Sequence, residues 1–265
     1  MPQMRPFCRD GWQGVVADTF IPPEDLDRWI GMLVEQAAIR YPSRAIAPCV
    51  CDDGIRCYAK ILFGLGDHPH AIKPALKWRL RPSRALRVAA VSAAMAAAAI
   101  PCATVVLAAR KRPWRPLGWP TDLVVTREVA GKSLRQEFKR LHEQSGSPEE
   151  VRRLLAMAAR AIAGLHLASF IHGDCQPGNL FLDEEGEGAP IAFIDNDRTI
   201  RSHALLRRWQ EKRNLVQFGF GLMARQFVTP EEWHYFLECY AHDRGVPPAP
   251  LREAVDPALE RRLRQ

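Results

Sequence analysis

Acidic residues are absent from one long stretch of this chain. Between His68 and Thr121 there are ten lysines or arginines and no aspartate or glutamate, although the whole chain has a formal net charge of only +7. This concentrated positive field would attract phosphorylated or membrane-surface substrates by long-range steering; a solvated basic face without a partner is the other interpretation. No aromatic-interleaved or helix-turn-helix pattern accompanies the charge, so nucleic acid is not an expected partner.

Export signals and paired cysteines are missing as well. The N-terminal sequence MPQMRPFCRDGWQGVV has no basic region followed by an apolar core, so we expect a cytoplasmic protein. Seven cysteines are scattered without CxxC spacing, which favours free thiols. The same lack of spacing argues against a zinc site built from Cys49, Cys51, Cys57, His68 and His70.

Charge of either sign is absent from the 22 residues between Val88 and Ala109, which raises the question of a membrane span. The run is mostly alanine, contains Pro101 and ends in the strand-like sequence TVVLAA. We therefore predict a packed helix from Ser83, a turn and a strand, and no transmembrane helix. A location at a membrane surface would then depend on the basic stretch.

The strongest chemical signal lies between Ile171 and Arg198, in the sequence IHGDCQPGNLFLDEEGEGAPIAFIDNDR. Asp174 is followed five residues later by Asn179, and sixteen residues after that by Asp195. An amide oxygen and a carboxylate suit Mg²⁺, which prefers hard oxygen ligands, and the remaining carboxylate is free to accept a proton. The apolar runs NLFL and IAFI flank an acidic, glycine-containing segment, which predicts a β-hairpin that returns Asp195 to the side of Asn179.

HxDxxxxN followed by a strand that ends in aspartate is the catalytic-loop and metal-loop pattern of the protein-kinase superfold. The variant HGDCQPGN, with FIDNDR and the basic helix RRWQEKRNLVQF, resembles the lipopolysaccharide core kinases, which phosphorylate Kdo or heptose sugars. The resemblance covers about residues 50–245 and implies an α+β, bilobal protein-kinase-like fold. Residues 1–126 would form a small β-rich N-terminal lobe and residues 127–265 a mostly helical C-terminal lobe.

The same resemblance implies an activity and a set of partners. ATP and Mg²⁺ would be the cofactors, and a sugar hydroxyl of the lipopolysaccharide core the acceptor. The source would be a gram-negative bacterium, with the protein in the cytoplasm and peripheral at the inner face of the inner membrane. Asp174 would be the catalytic base, Asn179 and Asp195 would hold the metal, and His172 would brace the loop through hydrogen bonds.

A second predicted hairpin, CVCDDGIRCYAKIL, turns at Asp53-Gly54 and carries Lys60 on its second strand. A kinase-like fold has its phosphate-binding lysine at this place in the small lobe. Period-2 alternation puts Tyr58 and Lys60 on one face of the strand. After a further strand from Leu123 to Thr126, the resemblance implies backbone contacts with adenine from three residues: Arg127, Glu128 and Val129.

Two features of the kinase pattern are missing. The helix SRALRVAAVSAAMAAAAI, expected to supply a glutamate to Lys60, contains no acid, and Val88 lies near the expected place. No glycine-rich loop GxGxxG is present either. These absences keep open a nucleotide-binding pseudokinase. A kinase for aminoglycosides or choline-like alcohols is the other alternative, although the basic stretch argues against cationic acceptors.

Local signals predict most of the remaining elements. Residues 10–16 are expected to form an opening strand, and PPEDLDRWIGMLVEQA an amphipathic helix. Helix starts are predicted at three N-cap residues, each followed three positions later by Glu or Gln: Ser133, Ser147 and Thr229. The proline-rich sequence VPPAP is expected to lead into a charged tail without a site.

Overall fold

The structure is a computed structural model, and it describes residues 2–36, 44–50, 54, 56–63, 82–111, 121–144, 146–182 and 191–265. The chain divides into two compact units, Met1–Ala93 with Ala103–Glu128 and Ala94–Cys102 with Val129–Gln265. Six of the ten cations of the basic stretch lie outside the described residues, at 68–81 and 112–120. So do Cys51, His68 and His70 of the disfavoured zinc site.

The first unit is built on an antiparallel sheet of six described strands. In chain order these are β1 (Met4–Arg9), β2 (Trp12–Ala17), β3 (Arg44–Val50), β4 (Arg56–Phe63), β5 (Val105–Lys111) and β6 (Thr121–Arg127). Their order in the sheet is β1-β2-β5-β6-β4-β3. The predicted hairpin is confirmed as β3 and β4, which pair from Arg44↔Leu62 to Val50↔Arg56, with Gly54 at φ 77° in the turn.

One helix packs on each face of this sheet: α1 (Leu26–Gln36) on one and α2 (Arg84–Ala97) on the other. Leu26 and Ile30 of α1 pack into a cluster with buried side chains of β2, β4, β5 and β6. Val88 of α2 belongs to a second cluster with Val105, Ala108 and Val124. Because strand side chains alternate between faces, each sheet face obtains its own apolar layer.

The strand expected at residues 10–16 is present as β2, but the strand β1 before it, with which it forms a hairpin, was not predicted. Asp10 and Gly11 make the turn, with φ of 50° and 79°. Two central residues with positive φ match the right-handed twist of a two-residue hairpin, and Asp-Gly is a preferred pair for it. The Asp10-Gly11 dipeptide was the signal in the sequence for this hairpin turn.

The uncharged run has the predicted course. Helix α2 ends at Ala97, a turn contains Pro101, and β5 begins at Val105. The Pro101 carbonyl accepts a hydrogen bond from the Phe193 N–H at 3.0 Å, which attaches the segment Ala94–Cys102 to the second unit. In the described part of the chain, no helix combines the length and apolar character needed to cross a membrane.

Two cations of the basic stretch have acidic partners. Arg110 is buried beside its cross-strand neighbour Asp122, with Nη2 2.9 Å from Oδ2. Lys111 forms an ion pair with Asp27 of α1. The predicted positive field therefore cannot include Arg110 and Lys111 at full strength, since opposite charge lies against each.

The second unit is mostly helical. Its helices are α3 (Leu134–Glu143), α4 (Pro148–Leu167), α5 (Arg207–Met223), α6 (Pro230–Arg244) and α7 (Pro248–Leu263). Its strands are β7 (Lys132–Ser133), β8 (Phe170–Ile171), β9 (Leu180–Leu182), β10 (Ile191–Phe193) and β11 (Ile200–Arg201). Ser133, Ser147 and Thr229 each form the predicted capping box, with reciprocal bonds to Gln136, Glu150 and Glu232. 

The charged tail expected after VPPAP forms the helix α7. Pro248 occupies the first turn, where a missing N–H costs nothing. Val255 and Leu259 are buried, and Asp256 accepts a hydrogen bond from the Trp233 indole at 3.1 Å. The four-residue spacing of Val255 and Leu259 was the sequence signal for a packed helix.

Candidate active site

Strands β9 and β10 hold the ends of the predicted catalytic segment together. Leu180 pairs with Phe193, and the Ile194 N–H donates to the Asn179 carbonyl at 3.0 Å. Asp195 therefore follows directly on the residue bonded to Asn179. This confirms the predicted hairpin; its connecting residues 183–190 lie outside the described part of the chain.

Asp174 is held by three side-chain amides. Its Oδ1 accepts from Gln176 Nε2 at 2.9 Å and from Gln217 Nε2 at 2.5 Å. Its Oδ2 accepts from Asn179 Nδ2 at 3.2 Å, and the same nitrogen donates to the Asp174 carbonyl at 2.8 Å. Donors on both oxygens fix the carboxylate in one orientation, which suits a group that must meet a substrate proton in a defined position.

The backbone of Asp195 has left-handed dihedral angles, φ 57° and ψ 51°. A residue other than glycine adopts this conformation at a cost, and such positions cluster at functional sites. The following turn, Asn196–Arg198, lies against the loop that carries Asp174. A Cβ on Gly173 would lie 2.1 Å from Arg198 Cβ and 2.3 Å from the Arg198 carbonyl oxygen, so only glycine permits this approach.

His172 is fully buried and connects the two segments. Its Nε2 lies 2.9 Å from the Ile194 carbonyl oxygen, and the Asp174 N–H donates to its Nδ1 at 3.2 Å. The Nε2–H tautomer satisfies both contacts. Burial lowers the pKa of the imidazole, so the ring is neutral and braces the loop, as predicted for this residue.

Asn214 of α5 supports the loop from behind. Its Oδ1 accepts from the His172 backbone N–H at 3.1 Å, and its Nδ2 donates to the His172 carbonyl at 2.6 Å. His166 Nε2 lies 3.1 Å from the same Oδ1, and its Nδ1 lies 2.8 Å from the Tyr240 hydroxyl. Sequence reasoning missed Asn214 and Gln217; the signal was a pair of polar residues three apart in the apolar second half of α5.

A cation also lies behind Asp174. Arg135 of α3 donates from Nη2 to Gln176 Oε1 at 3.0 Å, and Gln176 in turn donates to Asp174. Burial lowers the pKa of the Arg135 guanidinium and Arg225 lowers it further, while Asp174 opposes the shift. The Asp174 carboxylate therefore favours the charged form of the Arg135 guanidinium across Gln176.

Neutral histidines behind the loop make stability depend on pH. Burial lowers the pKa of His166 to about 4. Below a pH of about 6.5 the His166 imidazole binds a proton in the unfolded chain, whereas in the folded chain it stays neutral down to a pH of about 4. The free energy of unfolding therefore decreases as the pH falls from 6.5 toward 4. We expect His166 to cost about 3 kcal/mol of unfolding free energy over that range, measured by urea titration at several pH values.

The His166→Gln variant isolates this effect from carboxylate titration, because glutamine can donate and accept in the same network without gaining a proton. Its unfolding free energy should change less between pH 6.5 and 4 than that of the wild type. His242→Gln, with a side chain 89% exposed, is the matched control and should keep the wild-type slope. Equal slopes for His166→Gln and the wild type would contradict the assignment.

Lys60 lies on β4 in the first unit, with the predicted alternation. Cys57, Ala59 and Ile61 are fully buried, whereas Tyr58 is 40% exposed and Lys60 is half-buried on the opposite face. Val124, the cross-strand partner of Lys60, belongs to the same cluster as Val88 of α2. The place expected for a glutamate is thus filled by a buried valine near this face.

The predicted adenine-contacting residues follow β6. Their N–H groups at 127 and 128 already donate within the first unit, to the Thr104 carbonyl at 2.8 Å and the Arg56 carbonyl at 2.9 Å. The Glu128 carboxylate binds Arg56 Nε at 2.7 Å and the Tyr58 hydroxyl at 3.0 Å. Val129 is counted with the second unit.

Cys8, Cys175 and Cys239 are free thiols, as expected at these positions. Within the described ranges, no three His, Cys, Asp or Glu side chains converge as a metal-binding group.

A kinase-like fold with its catalytic loop is the class that these observations define, and comparison with known proteins gives the family. The model of the Lipopolysaccharide kinase (Kdo/WaaP) family matches residues 33–240, so the chain belongs to that family. The predicted identification as a lipopolysaccharide core kinase is confirmed at this level.

A solved structure of WaaP in complex with acyl carrier protein is similar to this chain in fold. The TM-score is 0.59 at 20% sequence identity, and the match covers 92% of this chain and 97% of the other. The predicted α+β, protein-kinase-like fold is thereby confirmed. Mitogen-activated protein kinase pmk-3 of Caenorhabditis elegans is 27% identical over 125 residues. That match covers 46% of this chain and spans about a quarter of the nematode kinase, 24% of its length.

Proposed function

We propose that this protein transfers the γ-phosphoryl group of ATP to a sugar hydroxyl of the lipopolysaccharide inner core, a Kdo or heptose. The observation that carries the proposal is the fixed carboxylate of Asp174 beside Asn179 and the Asp195 turn, in a chain of the lipopolysaccharide kinase family. Phosphoryl transfer depends on positioning and charge neutralisation, for which three held side chains are sufficient.

The donor set fits Mg²⁺. Both hydrogen bonds of the Asn179 side chain use Nδ2, so its Oδ1 is the atom that a hard cation would meet. Asn179 and Asp195 would hold the ion, which supplies charge neutralisation for the phosphates of bound ATP. Asp174 receives the proton of the acceptor hydroxyl as the oxygen attacks. His172 and Asn214 keep the loop in place during this transfer.

The nucleotide's remaining contacts are proposed from the first unit and the segment after it. Lys60 would neutralise the phosphates that are not transferred. The Arg127 and Glu128 carbonyl groups and the Val129 backbone would meet adenine, since the first two N–H groups are engaged elsewhere. Helix α2 contains no acid, so the glutamate expected to pair with Lys60 is not supplied by this helix.

The direct test is transfer of labelled phosphate from ATP to purified core lipopolysaccharide in the presence of Mg²⁺. Phosphorylation of the core, and not of an aminoglycoside or choline, supports the proposal. Preference for those cationic alcohols would favour the small-molecule kinase. ATP binding without transfer to any of these acceptors would favour the pseudokinase.

We further propose that the protein works at an anionic membrane surface, at the inner face of the inner membrane of a gram-negative bacterium. The support is an exposed surface, the interfacial patch, in which Leu205, Leu206 and Trp209 are 89%, 53% and 55% exposed. Five cations surround these side chains in sequence: Arg201, Arg207, Arg208, Lys212 and Arg213. Glu211 is engaged by Arg244 at 2.9 Å. Exposed leucines and tryptophan with basic flanks suit the membrane interface.

Vesicle binding tests this proposal. Replacing Leu205 and Leu206 together by aspartate should weaken binding to anionic phospholipid vesicles by about 10-fold or more, because apolar burial is lost and two negative charges are added. Wild-type binding should also fall steeply as salt is raised. Ile21→Asp, which alters an apolar side chain 67% exposed in the first unit, is the matched control. Unchanged affinity in the leucine variant would contradict the proposal.

A further inference from the structure

A cavity of about 260 Å³ lies beside the catalytic loop, within the second unit. The loop contributes Gly173 to its wall, the turn after Asp195 contributes Arg198, and the α5 side contributes Trp209, Arg213 and Gln217. At about 30 Å³ of liquid volume per water, it has room for roughly nine waters. That volume suits one sugar ring with a substituent better than an extended chain.

The wall of this cavity is positively charged. Arg198 and Arg213 line it, and no aspartate or glutamate does. His172, the other titratable residue in the wall, is kept neutral by burial, which lowers its pKa. Within the described part of the chain neither arginine forms an ion pair, although Arg213 lies over the Trp209 ring at 5.0 Å. Two guanidinium groups that line one cavity, without an ion pair among the described residues, attract an anion and bind it by charge-assisted hydrogen bonds.

The cavity reaches the group that handles the proton. Gln217 lines it and donates to Asp174 Oδ1 at 2.5 Å. Gly173 also lines it and directly precedes Asp174 in the chain. The cavity wall is therefore bonded directly to the Asp174 carboxylate through Gln217, so a saccharide in the cavity would lie beside the residues that hold the base.

We infer that this cavity is the acceptor subsite and binds an anionic group, a carboxylate or phosphate, on the sugar to be phosphorylated or on its neighbour. The inference rests on the proposed function and specifies its substrate as an acidic saccharide. Arg198 and Arg213 pair with the anionic group, and the exposed Trp209 ring offers an apolar face to the sugar. These residues determine the affinity for the acceptor, and other residues bind ATP.

Steady-state kinetics with purified core oligosaccharide test the inference. Arg213→Gln and Arg198→Gln should each raise the KM for the acceptor by about 10-fold to 100-fold, the scale of one charge-assisted hydrogen bond, with the KM for ATP unchanged. Arg213→Lys keeps the charge and should recover part of the loss. Arg160→Gln is the matched control: the Arg160 side chain is 84% exposed on α4 and lies outside the cavity wall, so the acceptor KM of this variant should equal that of the wild type.

Modified acceptors identify the anionic group. Enzymatic removal of phosphate, or chemical reduction of the carboxyl groups, should raise the wild-type KM for the acceptor. With the modified acceptor whose KM rises, wild type and Arg213→Gln should have the same KM. If wild type phosphorylates the core but both arginine variants keep its acceptor KM, the inference is overturned and the proposed function stands. If wild type phosphorylates no lipopolysaccharide acceptor, the proposed function fails first and the inference with it.

Discussion

Replacing Asp174 by asparagine is expected to slow phosphoryl transfer by about 10²-fold or more while Mg·ATP still binds, since the loss of a general base has this scale. The substitution is nearly isosteric. The new side chain keeps an oxygen that can accept from Gln176 and Gln217, and it loses the acceptor for Asn179 Nδ2. That nitrogen retains the Asp174 carbonyl as a partner at 2.8 Å, so the loop should keep its shape.

Single-turnover rates and nucleotide affinity separate chemistry from binding in this variant. Asp243→Asn is the matched control, since it makes the same change in a carboxylate on α6 that meets Arg160 at 3.9 Å. The control should transfer phosphate at the wild-type rate. Full activity of Asp174→Asn would remove Asp174 from the mechanism, and loss of nucleotide binding together with activity would assign it to the metal instead.

The parts of the site that the sequence predicts are those determined by short-range geometry. Asp174 and Asn179 lie in one loop, and their separation of five residues survives any arrangement of the rest of the chain. Asp195 joins them because two apolar runs pair as a hairpin, a contact between neighbours in sequence. The N-caps at Ser147 and Thr229 are equally local, since each bonds a residue three positions away.

The supporting residues depend on tertiary contacts and were not predicted. Asn214 and Gln217 reach the loop from a helix about forty residues further along, and their roles follow only from the packing of α5 against it. Arg198 and Arg213 likewise meet at one cavity only through the fold. The charge distribution of the sequence predicted a positive field from the stretch before residue 121, but Arg110 in that stretch is buried against Asp122. Sequence composition cannot distinguish a paired cation from an unpaired one.

Replacing Asp195 by alanine should abolish Mg²⁺-dependent binding of ATP, because the carboxylate is proposed as the charged ligand of the ion. Alanine also retains a side chain at φ 57°, where a Cβ is unfavourable, so lost binding alone would not separate the missing ligand from backbone strain. Asp195→Gly resolves the two causes, since glycine adopts this conformation freely. We expect the glycine variant to be as defective as the alanine variant.

Asp195→Asn completes the series, because asparagine tolerates left-handed dihedral angles and keeps one oxygen ligand while removing the charge. Its affinity for Mg·ATP should lie between those of the wild type and Asp195→Gly in calorimetric titrations. Recovery of wild-type affinity in the glycine variant would show that strain, and not coordination, is what alanine disturbs. Wild-type affinity in all three variants would remove Asp195 from the metal site and leave Asn179 without its proposed partner.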